Sequence, residues 1–160
     1  MTALFLLWDP RLIGSGDSLI MLPFEENVGL WTLIGFYFIK LFLLVLAFAS
    51  GLPGGIFFPL LALGSLAGNI VGSGLMIGGF ISYDTLVVFS VLAMAAHFSA
   101  VVRAPLTGMF LILEMTGGSI NYLLPVALVS FIAYLVAEVC QSEPIYESLL
   151  ALLLKDKSNH

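Results

Sequence analysis

The sequence predicts an all-α membrane protein, as judged from its composition, its long apolar runs and the breaks between them. Of the 160 residues, 61% are hydrophobic and 9% are charged, and the mean hydropathy is +1.14. A soluble domain has about 25% charged residues. The apolar runs alternate with clusters of glycine and proline, which interrupt regular structure. The net charge of −5 argues against a nucleic-acid partner, which would need a basic surface.

The chain divides by pattern into three stretches of one transmembrane domain, residues 1–160: a loop and short helix at 1–27, membrane helices at 28–154, and a polar tail at 155–160. Within the first stretch, a turn is predicted at 14–17 and a short helix at 18–22. The N-terminus lacks the basic region of a signal peptide. It resembles the end of a membrane helix that begins outside this chain.

Residues 28–50 predict the one simple spanning helix, because about 20 residues at a 1.5 Å rise cross a hydrocarbon core of about 30 Å. A proline and glycine break follows, and a second helix is predicted at 56–72. Its glycines at 64, 68 and 72 form a small-residue face. Such a face permits close helix contact, and plain packing is the preferred interpretation.

The later helices are predicted to be shorter or broken. Residues 72–83 predict a loose connection, and Asp84 or Thr85 is expected to cap an apolar helix that ends before a break at 103–105. Pro105 suits the first turn of the next helix. That helix, at 106–115, is too short to cross a bilayer.

A further helix at Ile120–Val139 is long enough to cross, and a short amphipathic helix is predicted at 145–154. The total is about two full crossings plus several truncated or tilted helices. Broken helices of this kind form sites inside membranes. Cys140, the single cysteine, is expected to be a small buried residue.

The break at residues 53–59 is the most informative feature. It places a helix start at a depth where a bilayer forbids exposed irregular backbone, unless protein or a water-filled cavity surrounds it. The first N–H groups of a helix have no intrahelical partner, and the helix dipole adds about half a positive charge there. The break therefore predicts an anion site without a fixed cationic side chain. A packed break between two helices is the alternative from the residues alone.

Each residue of the break has an expected part in such a site. Gly54 and Gly55 lack a Cβ and let an anion approach the backbone. Pro59 stiffens the entry to the helix. The rings of Phe57 and Phe58 wall the site and keep the local dielectric low. Weak binding by backbone groups suits conduction, since the ion must also leave.

The break also carries a resemblance to a known family. Residues 55–59 match the GxFxP signature of the CLC chloride channels and chloride/proton antiporters. Further segments resemble later helices of that family in the same order, at residues 103–108, 113–116, 124–125 and 143–146. The similarity runs from about residue 14 to the end of the last helix. It implies a CLC-type bundle of tilted and broken helices, one half of an inverted repeat.

The resemblance implies specific roles at the site. The backbone N–H groups of Ile56 and Phe57 are expected to bind chloride, and the hydroxyl of Tyr146 is expected to reach the same ion. Gly54, Gly55, Phe58 and Pro59 support that site. From the residues alone, Tyr146 is an interfacial aromatic anchor.

The implied function is chloride transport, as part of a voltage-gated-type channel or a chloride/proton antiporter. No cofactor is expected besides chloride as the transported ligand. An enzyme is disfavoured because His97, Ser99 and Asp84 make no catalytic set. No metal site is expected, since His97 lacks partners at ligand spacing.

Three intramembrane charges are interpreted structurally rather than as ion ligands. Arg103 and Glu114 are expected to pair or to cap helix ends, and Lys40 to snorkel or pair. The sequence leaves the protonation of Glu138 and Glu143 open.

The resemblance covers the second half of a CLC subunit only. The family's first half carries the GSGxP and GxEGP motifs and, in antiporters, a proton-transfer glutamate. Ser15 is not assigned to the first motif because Asp17 follows where proline is required. A first-half segment, in cis or in trans, is therefore expected as a partner. The alternative is a non-transporting membrane subunit or truncated scaffold, which the neighbouring reading frame would distinguish.

The remaining expectations concern assembly and location. The resemblance implies a homodimer with an apolar interface near 106–115 and 120–139. A multi-pass protein of a prokaryotic cell membrane is expected. Lys155 and Lys157 favour a cytoplasmic C-terminus.

Overall fold

The structure, a computed structural model, describes residues 19–20, 28–49, 55–117 and 120–158, and its regular elements over these residues are all helical. The elements in order are α1 (Leu30–Ala49), α2 (Phe57–Ile77), α3 (Tyr83–Val102), α4 (Pro105–Met115), a 3₁₀ turn (Ile120–Tyr122), α5 (Leu123–Val139) and α6 (Ile145–Ser158). The prediction of an all-α fold is confirmed. Leu19 and Ile20, within the predicted short helix at 18–22, are helical and buried.

Four helices in the described part of the chain are long and apolar enough to cross a membrane. They are Leu30–Ala47, Phe57–Ile77, Thr85–Val102 and Ile120–Val139. The sequence-based count of about two crossings was therefore too low. The two further candidates are α2 and α3. Helix α2 has 21 residues and continues through Gly72 and Gly74 to Ile77, which were interpreted as part of a loose connection.

The chain forms two compact units, Met1–Met94 and Ala95–His160. In the first unit, α1 packs against α2. The second and third turns of α2 are almost entirely buried. The apolar core residues that α2 contributes are Leu60, Leu61, Ala62, Leu63 and Leu66. The Ser65 hydroxyl, also fully buried, donates a hydrogen bond of 3.3 Å to the Ile20 carbonyl. The helix that carries the candidate site is thus held by a well-packed core.

Glycines bring α2 and α3 close together inside the first unit. A Cβ added at Gly68 would lie 2.6 Å from the Phe89 carbonyl oxygen and 2.7 Å from the Ser90 Cα. A Cβ at Gly72 would lie 2.5 Å from a methyl group of Leu86. The interpretation of the small-residue face as packing is confirmed for these two positions. The same contacts explain why α2 continues past Gly72, because atoms of α3 occupy the space that a side chain at these glycines would fill.

The start of α3 differs from the prediction. The helix begins at Tyr83, so Asp84 and Thr85 lie inside its first turn rather than before it. Ser82 precedes the helix, and its carbonyl accepts a hydrogen bond of 3.1 Å from the Thr85 N–H. The Ser82 and Thr85 hydroxyls are 3.3 Å apart.

In the second unit, Pro105 is the first residue of α4, as predicted from its missing N–H. Helix α4 packs against α5. Gly108 lies against α3, where an added Cβ would be 2.8 Å from the Ser99 hydroxyl oxygen. The last helix runs to Ser158, so the first four residues assigned to the polar tail are helical. Cys140, expected to be buried, is exposed because it directly follows the end of α5.

Much of α4 and α5 presents apolar side chains outward. Those more than half exposed are Leu106, Phe110, Leu124, Leu128, Ile132, Leu135, Val136 and Val139. Apolar helices with so much exposed surface are stable in lipid or against other apolar helices. This surface of α4 and α5 agrees with the membrane class predicted from the composition, while the single-domain division and its bounds stay a prediction.

Candidate anion-binding site

The N-terminus of α2 lies at the break that the sequence singled out. Ile56 is the N-cap, with φ −74° and ψ −26°, and the helix begins at Phe57. The first hydrogen bond at this end runs from the Leu60 N–H to the Ile56 carbonyl, at 3.2 Å. Pro59 adds no donor to this helix start, because it has no N–H. Ile56 and Phe57 are thus the N-cap and the first residue of α2, and their binding of chloride stays a prediction.

The N-cap Ile56 makes no side-chain capping hydrogen bond, and the first turn of α2 carries no acidic residue. Serine or aspartate at an N-cap accepts hydrogen bonds from the first amides, whereas the Ile56 side chain has no acceptor. A carboxylate in the first turn would compete with an anion for the positive end of the dipole. The positive N-terminal end of the α2 dipole consequently favours an anion, since no carboxylate of the first turn neutralises it.

Gly55 carries no side chain beside the helix start. This glycine is exposed, and an added Cβ would meet no atom of the described residues within 4 Å. Among those residues, no side chain keeps an ion from the backbone there. Gly54, the other predicted glycine of the site, lies outside the described residues.

The two phenylalanines form an edge-to-face pair at the helix start. Their ring centroids are 5.3 Å apart and their planes meet at 80°. Phe58 is 40% exposed, whereas Phe57 is half-buried. An apolar wall of this kind strengthens nearby electrostatic interactions by lowering the local dielectric. The part of Phe57, Phe58 and Pro59 in holding an ion stays a prediction.

Tyr146 is the second residue of α6, at the start of the last helix as expected. Its side chain is 56% exposed. The helix start is fixed by Pro144, whose carbonyl accepts hydrogen bonds of 3.1 Å from the Glu147 and Ser148 N–H groups. The Ser148 hydroxyl donates to the Glu143 carboxylate at 3.2 Å. Ile56 and Phe57 belong to the first compact unit and Tyr146 to the second, and their joint binding of one ion stays a prediction.

Arg103 both pairs and caps, as expected from the sequence. Its Nη1 donates to the Glu138 carboxylate at 3.0 Å and to the Tyr134 carbonyl at 3.1 Å. Its Nη2 donates to the Ala137 carbonyl at 2.7 Å and also to the Ser142 carbonyl. The guanidinium therefore closes the C-terminal end of α5. Sequence reasoning gave the type of role but not the partners, because backbone carbonyls leave no signature in a sequence.

The other polar candidates do not gather into a site in the described part of the chain. No three His, Cys, Asp or Glu side chains come together there as metal ligands. Lys40 is buried, at 4% exposure, and Glu114 is exposed. The hydroxyls of Ser99 and Ser130 are buried without a hydrogen-bond partner among the residues described. Neither hydroxyl was singled out as a ligand, and both lie on apolar helices.

Comparison with known proteins gives a consistent result. The sequence profile of a family described as voltage gated chloride channel matches residues 1–138. A relative from Vibrio campbellii, the H(+)/Cl(-) exchange transporter ClcA, is 38% identical over 163 residues, which cover 96% of this chain and 32% of the relative. The proteins of the same name from Vibrio cholerae and Cronobacter sakazakii are 37% and 35% identical, over 96% and 94% of this chain and 33% and 32% of their own lengths. The chain thus spans about a third of the curated relatives it matches.

Proposed function

Since the chain belongs to the voltage gated chloride channel family, we propose that it supplies one side of the anion pathway of a chloride transporter. The observation that carries the proposal is the N-terminus of α2. Ile56 makes no side-chain capping bond there, the first turn has no acidic residue, and no described residue would contact a Cβ at Gly55. This helix start also coincides with the family signature at residues 55–59.

The proposed binding mode uses backbone donors. The amides of Ile56 and Phe57 point from a helix start that carries about half a positive charge. The Tyr146 hydroxyl adds one further donor. No arginine or lysine contributes to this set, so the ion is attracted without being held by a full opposite charge. Binding of this strength allows release, which transport requires.

The relatives named above are proton/chloride exchange transporters, and we extend exchange to this chain as one form of the proposal, with channel conduction as the other. The gating and proton-transfer glutamates of the family belong to its first-half motifs. The proposal therefore includes a first-half segment, in cis or in trans, on the opposite side of the ion. The chain is proposed to be a transport protein without enzymatic activity.

The proposal also covers assembly and location. The chain is a multi-pass membrane protein. We assign it to a prokaryotic cell membrane with a cytoplasmic C-terminus. A homodimer is proposed with its interface on α4 and α5, where the exposed apolar side chains would be covered by a second copy.

The test is chloride efflux from liposomes that contain this chain, either alone or together with a first-half segment. Efflux well above empty vesicles is expected only for the combination, because helix ends that face lipid unsatisfied cost several kcal/mol each. Proton flow that is driven by the chloride gradient, in the direction opposite to chloride flow, would identify exchange. Chloride efflux without such proton flow would identify a channel. If the combination conducts no chloride, the proposed function is wrong.

A further inference from the structure

The Arg103 side chain connects the break between α3 and α4 to the loop after α5. It lies 10% exposed, with its guanidinium at the C-terminal end of α5. Three backbone carbonyls and one carboxylate accept its hydrogen bonds, at Tyr134, Ala137, Ser142 and Glu138. Arg103 itself adopts φ 62°, a left-handed conformation that is uncommon for a residue other than glycine. This backbone turn directs the chain from α3 into α4 while the side chain reaches α5.

The end of α5 depends on such support. The Ser142 N–H donates to the Ala137 carbonyl at 3.2 Å, and the Gln141 N–H donates to the Glu138 carbonyl at 3.0 Å. This pair of bonds is a Schellman motif, whose left-handed position is usually glycine. Here the position is Gln141, with φ 51°. A cation at the last carbonyls of the helix offsets that strain and interacts favourably with the dipole.

The same loop leads directly to Tyr146. Ser142, whose carbonyl is bound by Arg103, is followed by Glu143 and Pro144, and α6 starts one residue later. Pro144 and Glu143 are both fixed by hydrogen bonds from the first turn of α6. Both residues between Ser142 and α6 are therefore held by contacts with the first turn of that helix. A displacement at Ser142 would be passed on to the start of α6.

We propose that Arg103 is a positioning residue for anion binding, acting through the Ser142 loop to place the Tyr146 hydroxyl. This inference rests on the proposed function for its effect on chloride, whereas its effect on Tyr146 is structural. Arginine is required because its planar fork reaches several acceptors in fixed directions. A lysine at this position keeps the charge at the helix end but has a single nitrogen.

The experiment uses the transporter assembled from this chain and its first-half segment. Tyr146 is replaced site-specifically by 3-fluorotyrosine, and its fluorine resonance is recorded for the parent, Arg103→Lys and Glu114→Gln proteins. Arg103→Lys is expected to shift or broaden the resonance. The same variant is expected to raise the KM for chloride about tenfold, equivalent to about 1.4 kcal/mol, with the maximal rate changed less than KM. Glu114→Gln, an exposed change on α4, serves as the control.

Glu138→Gln separates the carboxylate from the backbone contacts. Glu138 is 64% exposed, so its ion pair with Arg103 is expected to contribute little, and the KM should change less than for Arg103→Lys. An unchanged fluorine resonance in folded Arg103→Lys would overturn the inference. So would an equal loss of maximal rate and affinity, which would indicate general damage. A parent protein without chloride-dependent transport would refute the proposed function, and the resonance would still decide the positioning role.

Discussion

Gly68 of α2 lies so close to Phe89 of α3 that residue 68 has no room for a side chain. An added Cβ would be 2.6 Å from the Phe89 carbonyl oxygen. Backbone atoms cannot move aside as a flexible side chain can. The position of α2, and with it the candidate anion site at its N-terminus, depends on this close contact.

Gly68→Ala is therefore expected to lower stability by about 1–3 kcal/mol through overpacking. Gly74, six residues further along the same helix, has no atom within 4 Å of an added Cβ and provides the control. Gly74→Ala should leave stability unchanged or raise it slightly, since alanine favours helix more than glycine does. Thermal unfolding in detergent compares the two variants. Equal melting temperatures for Gly68→Ala and the parent protein would contradict the packing.

Gly108 and Ser99 form a similar contact in the second unit. An added Cβ at Gly108 would lie 2.8 Å from the Ser99 hydroxyl oxygen and 3.0 Å from a Phe98 ring carbon. Gly108→Ala is expected to destabilise by about 1–3 kcal/mol. Adding Ser99→Ala should recover part of the loss, because the nearest atom is removed. The double-mutant cycle is measured by thermal unfolding, with Gly35→Ala as the unobstructed control. Strict additivity of the two changes would show that the residues do not interact.

Two buried serines differ in whether their hydroxyls have a hydrogen-bond partner among the described residues. Ser65 donates to the Ile20 carbonyl, whereas Ser130 has no partner among the described residues. Ser65→Ala should cost about 1 kcal/mol, while Ser130→Ala should be neutral or stabilising, since it removes an unpaired polar group. Unfolding in a denaturing detergent series ranks the two variants. A larger loss for Ser130→Ala would mean that its hydroxyl has a partner in the assembled protein.

Tyr146→Phe removes one proposed donor to the ion and keeps the ring. Because the side chain is 56% exposed, the fold should tolerate the change. The chloride affinity of the assembled transporter is expected to fall about tenfold, as for the loss of one hydrogen bond to a charged group. Tyr122→Phe, in the 3₁₀ turn, is the matched control and should bind chloride like the parent. Calorimetric titration with chloride measures both variants, and equal affinities would remove Tyr146 from the site.

The sequence was sufficient for the helical class, for the break before Phe57 and for the start of α4 at Pro105. These features depend on local chemistry, namely hydrophobic run length, glycine and proline. The continuation of α2 to Ile77 was missed, because it depends on Leu86 and Phe89 of the later helix α3, which lie against Gly68 and Gly72 of α2. The four acceptors of Arg103 were missed for a similar reason, since three of them are backbone carbonyls.

The candidate site was predicted partly from the chemistry of helix ends and partly from the family resemblance. Helix chemistry alone predicted an anion-attracting helix start at Ile56–Pro59, with a packed break as the alternative, and the family resemblance assigned the amides of Ile56 and Phe57. The assignment of chloride and of Tyr146 came from the family resemblance, because a tyrosine at a helix start has no distinctive spacing. The family is confirmed by comparison, whereas the roles of individual residues stay predictions.

The most direct test removes one backbone donor without changing any side chain. In the assembled transporter, Phe57 is replaced by its α-hydroxy acid, which converts the amide to an ester and deletes the N–H. Leu30, the first residue of α1, receives the same replacement as a control at an equivalent helix position. Chloride affinity is measured by calorimetry. A loss of about tenfold or more is expected at Phe57, since a hydrogen bond to a charged group contributes about 1.5–3 kcal/mol, and no change is expected at Leu30. Unchanged chloride affinity with the ester at Phe57 would show that this amide does not bind the ion.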